Sequence, residues 1–157
     1  MAKGHQGKVA VITGGAHGIG QAFARRLAEE GVDVAVADLT PADETVRMVE
    51  AAGRRALAVE CDVASPDSVA ALAKQVDQHF GHCDIVVNCA GIFPVQPFDT
   101  MTFADWRRVM AINLDGVFLV TAAFVPGMKQ RRWGRVRWPF RCSSVWSGSC
   151  GACRRAC

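Results

Sequence analysis

Between a short apolar run and a stretch of helical period lies Thr13-Gly14-Gly15-Ala16-His17-Gly18-Ile19-Gly20, a loop built largely of residues without side chains. Such a loop bares its backbone amides, and at the start of a helix those amides stand at the positive end of the peptide dipoles. It can therefore approach and hold an anion such as a pyrophosphate. Glycines alone also make ordinary tight turns, so the loop needs a second feature beside it. Asp38 supplies one, because it closes the next apolar run. A carboxylate at the carboxyl end of a second strand can accept both hydroxyls of a ribose and would repel a 2′-phosphate. Its neighbours Ala37 and Leu39 carry no positive charge to hold that phosphate, so the pair favours NAD over NADP.

These residues need a frame, and the hydrophobic pattern provides one. Lys8 to Thr13 is rich in β-branched residues and reads as a strand. A helix should run from Gly18 to Glu30 with Ile19, Ala22, Phe23, Arg26 and Leu27 on one face, ended by Gly31. Val32 to Ala37 gives a second strand leading into Asp38. Thr40 as a capping hydroxyl, with Pro41 at the first helical position, predicts a helix to Gly53. Ala56 to Cys61 is a third strand, Ser65-Pro66-Asp67 caps a helix ending near Gly81, and Asp84 to Asn88 is a fourth strand. Thr102 to Asp105 opens a longer helix through Phe124 that should stop before Pro126.

Strands that are apolar throughout, each followed by one helix, mean a parallel sheet covered on both faces. The expected fold is a doubly wound α/β sheet of order 3-2-1-4, with a ligand across the strand ends where the order reverses. A fifth strand should follow Trp133-Gly134-Arg135-Val136, yet Arg137, Trp138, Pro139 and Arg141 are poor material for a strand buried on both faces. The sheet is expected to stop after the fourth or fifth strand.

Four motifs in order resemble the short-chain dehydrogenase/reductase family, over residues 6 to 136. The glycine loop matches that family's Thr-Gly-x-x-x-Gly-x-Gly. Cys61-Asp62-Val63 matches an Asp-Val whose carboxylate the family places at the adenine amino group. Asn88-Cys89-Ala90-Gly91 matches Asn-Asn-Ala-Gly, with Cys89 in place of the second asparagine. Asn113 matches the helix asparagine that anchors a proton-relay water beside a catalytic lysine.

The resemblance implies a Rossmann-type NAD-binding domain over residues 1–136 that transfers hydride between NAD and a secondary alcohol or ketone, in a family that usually forms homotetramers. It implies Thr13, Gly14, His17, Gly18, Ile19 and Gly20 at the cofactor, then Asp38 and Leu39, Asp62 and Val63, and Asn88, Ala90 and Gly91, with Asn113 as the catalytic residue. Within the family, Asp38 to Phe98 and Ala123 to Lys129 look most similar to NAD-dependent secondary-alcohol dehydrogenases of the 1-phenylethanol type. The loop Ile92 to Thr100, with Phe93, Pro94 and Phe98, would wall a substrate pocket.

The resemblance fails after Val136. The family's catalytic serine and Tyr-x-x-x-Lys have no clear counterpart, and the sequence has no tyrosine. Counted from Gly134 without gaps, the serine would fall at Arg141 and the tyrosine near Arg154; Ser143 and Ser144 come two or three residues late and read as loop serines. General acid–base catalysis worth about 10²- to 10⁴-fold would then be missing. Two expectations result: an NAD-dependent oxidoreductase, or a catalytically incompetent dinucleotide-binding fragment.

Residues 137–157 hold four of the seven cysteines, two of the four tryptophans and no acid. This aberrant tail, expected to be poorly ordered, has the composition of a shifted reading frame. Cys150 and Cys153 form one x-x-spaced pair without a second pair or histidine nearby, a weak metal signal, so no metal is assigned.

Charge divides the same way. Eleven basic against fifteen acidic residues leave −4 over residues 1–130, and seven further basic residues bring the chain to +3. A net acidic domain argues against a nucleic-acid groove. No uninterrupted apolar run approaches the roughly 20 residues of a membrane span and Met1 to Lys8 lacks a signal-peptide core, so no membrane partner and a cytoplasmic setting with reduced thiols are expected. His5, His79 and His82 read as surface residues at termini or turns, without partner acids at ligand spacing.

Overall fold

The computed structural model describes residues 4–138. Five strands form one parallel sheet in the order β3-β2-β1-β4-β5: β1 Val9–Thr13, β2 Asp33–Asp38, β3 Ala56–Glu60, β4 Ile85–Asn88 and β5 Arg135–Arg137. The helices are α1 Gly18–Glu29, α2 Asp43–Ala51, α3 Pro66–Phe80, α4 Phe103–Met110 and α5 Gly116–Gln130, with a π turn, Ala111–Asp115, joining the last two.

Alternation along the strands sends successive side chains to opposite faces. Val9, Val11, Ala35, Ala37 and Val86 meet Val69, Leu72 and Val76 of α3 and Val120, Phe124 and Met128 of α5. Ala10, Ile12, Val34, Val36, Ile85 and Val87 meet Ala24 and Ala28 of α1 and Val49 of α2 on the other face. The doubly wound fold is therefore present, and the strand order reverses at β1, between β2 and β4.

Several local expectations need correction. On α1 the buried residues are Gly20, Ala24 and Ala28, while Ile19 is 69% exposed. Phe23 and Leu27 of the expected face do pack, partly buried, against the core, and the small residues beside them let the helix lie close on the sheet. Thr40 does not cap α2; Ala42 stands at that position without a side-chain bond, and Thr40 turns back to Asp38. Pro126 does not stop the last helix, which continues to Gln130. The proline lies on the exposed face, and burial of Phe124 and Met128 on either side of it outweighs one lost backbone bond.

The fifth strand starts within the Arg135-Val136 phrase rather than after it, pairing Ile85 with Arg135 and Val87 with Arg137. All three of its residues are exposed, so its arginines lie in water and break no rule about buried strands. The tail beyond Trp138, with Ser143 and Ser144 and the Cys150–Cys153 pair, lies outside the described residues. The ends of α3 agree with the expectation: Ser65 Oγ accepts the Ser68 amide, and Gly81 takes a left-handed φ of +79°.

Charges are fastened at the edge of the sheet opposite the strand ends that carry Asp38. Asp33 is buried between the Arg54 and Arg55 guanidiniums, with Arg55 Nε 2.8 Å from Oδ2. Asp84 is buried too, accepting the Val9 amide at 3.2 Å with His82 Nε2 3.1 Å away. His5 Nδ1 lies 3.1 Å from Glu30. His5 and His82 thus each meet a single acid, one brought in by the fold and one two residues along the chain, just before β4.

The continuous helix Phe103–Gln130 is long and apolar enough by length and composition to cross a membrane. Asp115 interrupts its apolar run, which is why a search for uninterrupted runs passes over it. In this fold Val120, Phe124 and Met128 of that helix are buried against the sheet.

Candidate functional site

A cleft of about 380 Å³ opens at the carboxyl ends of β1, β2 and β4, the size of a small-molecule site and at the switch point of the sheet. Most of the residues the sequence singled out line it: Gly14, His17, Gly18, Ile19 and Gly20 from the loop, Asp38 and Leu39 after β2, Asp62 and Val63 after β3, and Ala90 and Gly91 after β4. Thr13, Asn88 and Asn113 do not. Thr13 is buried beneath the floor, where its hydroxyl accepts the Ala90 amide at 3.1 Å and ties the two loops together. Asn88, also buried, donates from Nδ2 to Thr121 Oγ1 at 3.3 Å, linking β4 to α5.

The glycine loop is shaped by close approach. A Cβ on Gly20 would strike the carbonyl group of Gly14, so α1 can begin against the loop only with glycine there. Gly18 has φ +58° and open space before the position of a Cβ, leaving the mouth of the cleft clear. The helix behind it is prepared for an anion. His17, at the N-cap of α1, makes no side-chain capping bond, and the first turn holds no acid. By contrast α3 and α4 have capping side chains, Ser65 and Thr102, and α2, α3 and α4 carry first-turn acids. The first amides of α1 are thus left for a ligand.

Asp38 faces this loop. Its Oδ2 accepts the Ala16 amide at 2.9 Å, and its Oδ1 accepts both the amide and the hydroxyl of Thr40 at 3.1 Å. Burial would push the carboxyl up, but the Ala16 amide, the two Thr40 bonds and the nearby His17 together hold it below the ordinary aspartate value. It is therefore an anion at neutral pH, and among the described residues no lysine or arginine lines the cleft.

Asp62 is exposed, its Oδ1 accepting the Ala64 amide at 2.9 Å in a local turn. Asn113 lies in the π turn and makes a two-point contact with one residue of the far wall: Oδ1 accepts the Ile92 amide at 2.9 Å and Nδ2 donates to the Ile92 carbonyl at 2.8 Å. A helix asparagine needs a partner of this kind, and here it is the segment just after Gly91.

The lining also includes Ala37 and Ile112, each beside a motif residue, the motif cysteines Cys61 and Cys89, and Ile92, which opens the loop expected to wall a substrate pocket. Burial pushes the Cys61 thiol up and the Cys89 thiol up to about 11, so both act as small apolar groups in the wall. Among the described residues no group of three His, Cys, Asp or Glu side chains could hold a metal ion.

These residues fit a nicotinamide dinucleotide: bare amides for the pyrophosphate, an ionised acceptor for a ribose, and a partly apolar floor for the rings. The comparisons with known proteins agree. The family model described as short chain dehydrogenase matches residues 8–137. Cis-4-hydroxycyclohexanecarboxylate dehydrogenase of Sinomonas cyclohexanicum is 47% identical over 114 residues, covering 71% of this chain and 46% of that protein. A short chain dehydrogenase from Mycobacterium paratuberculosis, solved bound to NAD, superposes with a TM-score of 0.80 at 34% identity, covering 85% of this chain and 55% of that one. A metagenomic short-chain oxidoreductase solved with NADP gives a TM-score of 0.80 at 35% identity over 85% of this chain and 62% of its own. The chain spans about half the length of the curated relatives it matches. With that match over most of its length, the chain belongs to the short-chain dehydrogenase family of oxidoreductases, whose fold binds nicotinamide dinucleotides.

Proposed function

We propose that this cleft holds NAD, rather than NADP, for hydride transfer between the dinucleotide and a small secondary alcohol or ketone. One observation carries the cofactor choice: an ionised Asp38, fastened to the glycine loop through the Ala16 amide, in a cleft that no lysine or arginine among the described residues lines. A ribose bearing free hydroxyls can donate to that carboxylate, whereas a 2′-phosphate would face it with like charge and no cation to offset the repulsion.

The nicotinamide ring, when bound, supplies the hydride acceptor or donor. The chain's own residues do the holding. The first amides of α1 receive the pyrophosphate, Asp38 orients the adenosine ribose, and Val63 and Leu39 stand beside the adenine end. Asn113 fixes the Ile92 segment, so the wall of the cleft keeps its shape as the dinucleotide enters.

A secondary alcohol on or next to a ring is the substrate class we favour. The Sinomonas relative takes its name from a ring-borne hydroxyl, and the stretches Asp38 to Phe98 and Ala123 to Lys129 resemble those of secondary-alcohol dehydrogenases of the 1-phenylethanol type. Titration of the chain with NAD and NADP by calorimetry tests the cofactor choice: tighter NAD binding is expected, and equal or tighter NADP binding would refute it. Formation of NADH with 1-phenylethanol or a cyclohexanol tests turnover.

A further inference from the structure

Thr45 is a polar residue with no exposed surface, on the helix after Asp38 and outside the lining of the cleft. Its hydroxyl oxygen lies 2.9 Å from the Gly15 carbonyl oxygen and 3.1 Å from that of Ala16. Gln21, on α1, donates from Nε2 to the Ala16 carbonyl at 3.2 Å and to Thr45 Oγ1 at 3.1 Å. The single hydroxyl proton of Thr45 is thus offered to two loop carbonyls while its oxygen accepts from Gln21.

Peptide planarity carries this contact across to the cleft. The carbonyl of Gly15 and the amide of Ala16 belong to one planar trans unit and point in opposite directions. Pinning the carbonyl toward α2 aims the amide the other way, and that amide is the one Asp38 Oδ2 accepts at 2.9 Å. The same relation joins the Ala16 carbonyl to the His17 amide, at the start of α1. Without the pin this peptide could rotate, and Asp38 would lose the partner that fixes one of its oxygens.

We propose that Thr45, supported by Gln21, is a positioning and specificity-determining residue: it sets the Gly15–Ala16 peptide and, through the Ala16 amide, the carboxylate that selects between NAD and NADP. This rests on the reading of the cleft as a dinucleotide site. The test uses the full 157-residue chain, with Kd for NAD and for NADP measured by calorimetry beside the thermal midpoint. Thr45→Val keeps the shape and removes the hydroxyl. It is expected to weaken NAD binding by roughly three- to ten-fold, the span of one net hydrogen bond, and NADP binding by less, so that the preference narrows. Thr45→Ser should restore both constants. Gln21→Met, at a half-buried position, should shift the preference the same way by a smaller factor.

A Thr45→Val chain that melts lower but keeps the wild-type ratio of the two constants would show a merely structural hydroxyl and overturn the proposal. If Thr45→Val does not fold, Gln21→Met decides: an unchanged ratio overturns the proposal and a narrowed one supports it. Wild-type chain that binds neither dinucleotide, or both alike, overturns the cofactor reading and this inference with it. Wild-type selectivity that survives in both variants overturns this inference alone.

Discussion

Replacing Asp38 with asparagine keeps the shape of the side chain and removes its charge, and the hydrogen bonds around it set the expected cost. Each carboxylate oxygen accepts a backbone amide, Oδ2 from Ala16 and Oδ1 from Thr40. An amide side chain has only one acceptor oxygen, so whichever way it turns, its NH₂ must face a backbone N–H. The cheaper choice sets NH₂ against Ala16, because the other side would lose the Thr40 amide and disturb the Thr40 hydroxyl as well. One charge-assisted bond is then lost, worth roughly 1.5–3 kcal/mol when buried; Asp38 is only half-buried, so about 1–2 kcal/mol is the expected cost. The thermal midpoint should fall by about 3–6 °C.

The cofactor effect should be larger and of opposite sign for the two dinucleotides. For a 2′-phosphate of charge near −2 at a separation on the order of 5 Å, in an open cleft with an effective dielectric of about 60, repulsion by Asp38 is about 2 kcal/mol. Removing it should tighten NADP binding by roughly thirty-fold. NAD should bind about five-fold more weakly, since its ribose hydroxyls lose an ionic acceptor but keep a neutral one. The ratio of the two Kd values, measured by calorimetry on the folded variant, should therefore move by about two orders of magnitude. A folded Asp38→Asn chain whose ratio moves by less than about three-fold would refute the argument that this carboxylate chooses the cofactor.

Gly20→Ala would drive a Cβ into the Gly14 carbonyl and to 2.8 Å from Gly15 Cα, backbone that cannot yield without parting α1 from the loop. A loss of about 2–4 kcal/mol in denaturant unfolding is expected, and an unshifted midpoint would show the loop to be looser than these contacts require. Asn113→Leu removes both bonds to Ile92, leaving its amide and carbonyl unpaired. Hydrogen exchange at the Ile92 amide should speed up by at least about ten-fold, and unchanged protection would mean that other contacts hold this wall.

Acid should unfold the protein partly through Asp33. Burial raises its carboxyl, but the Arg55 amide and side chain and the Arg54 guanidinium outweigh this and hold it below the ordinary value of 3.8. A depressed folded value stabilises the fold above the unfolded value and loses that contribution as pH falls through the folded one. Circular dichroism should show stability flat above about pH 4 and falling below it, with a shallower fall in Asp33→Asn. Equal acid sensitivity in the variant would assign the loss to other carboxylates.

The strands and the loop were legible in the sequence because their signals are local. A run such as Val9 to Thr13 is apolar at every position, which suits only a strand covered on both sides, and the glycines stand where a strand must turn into a helix. What the pattern misled on were choices made by tertiary packing. Gly20, Ala24 and Ala28 join Phe23 and Leu27 on the inner face of α1 because smallness permits close approach, whereas bulky Ile19 lies outside it. Thr40 has the chemistry of a cap, yet Asp38 two residues earlier offers its hydroxyl a charged acceptor, which outcompetes a helix amide. Thr45 could not be picked out at all, since its significance lies in carbonyls thirty residues earlier.

The π turn is the clearest case of a site feature hidden from pattern. Trp106, Val109, Met110 and Asn113 recur at helical spacing, and counting on by sevens and fours leads to Val120, Phe124 and Met128, so an unbroken α-helix would carry one stripe from end to end. That stripe would turn Asn113 toward the sheet. A π turn takes in about one extra residue and rotates the helix before it by roughly 100° relative to the helix after it. Burial changes across the turn: α5 buries Gly116, Val120, Phe124 and Met128, whereas no residue of α4 is buried. Asn113, inside that turn, meets the Ile92 segment at the cleft wall. A hydrophobic pattern reports only which residues are apolar, not where the hydrogen-bond register slips, so Asn113 is marked in the sequence by its motif and not by its period.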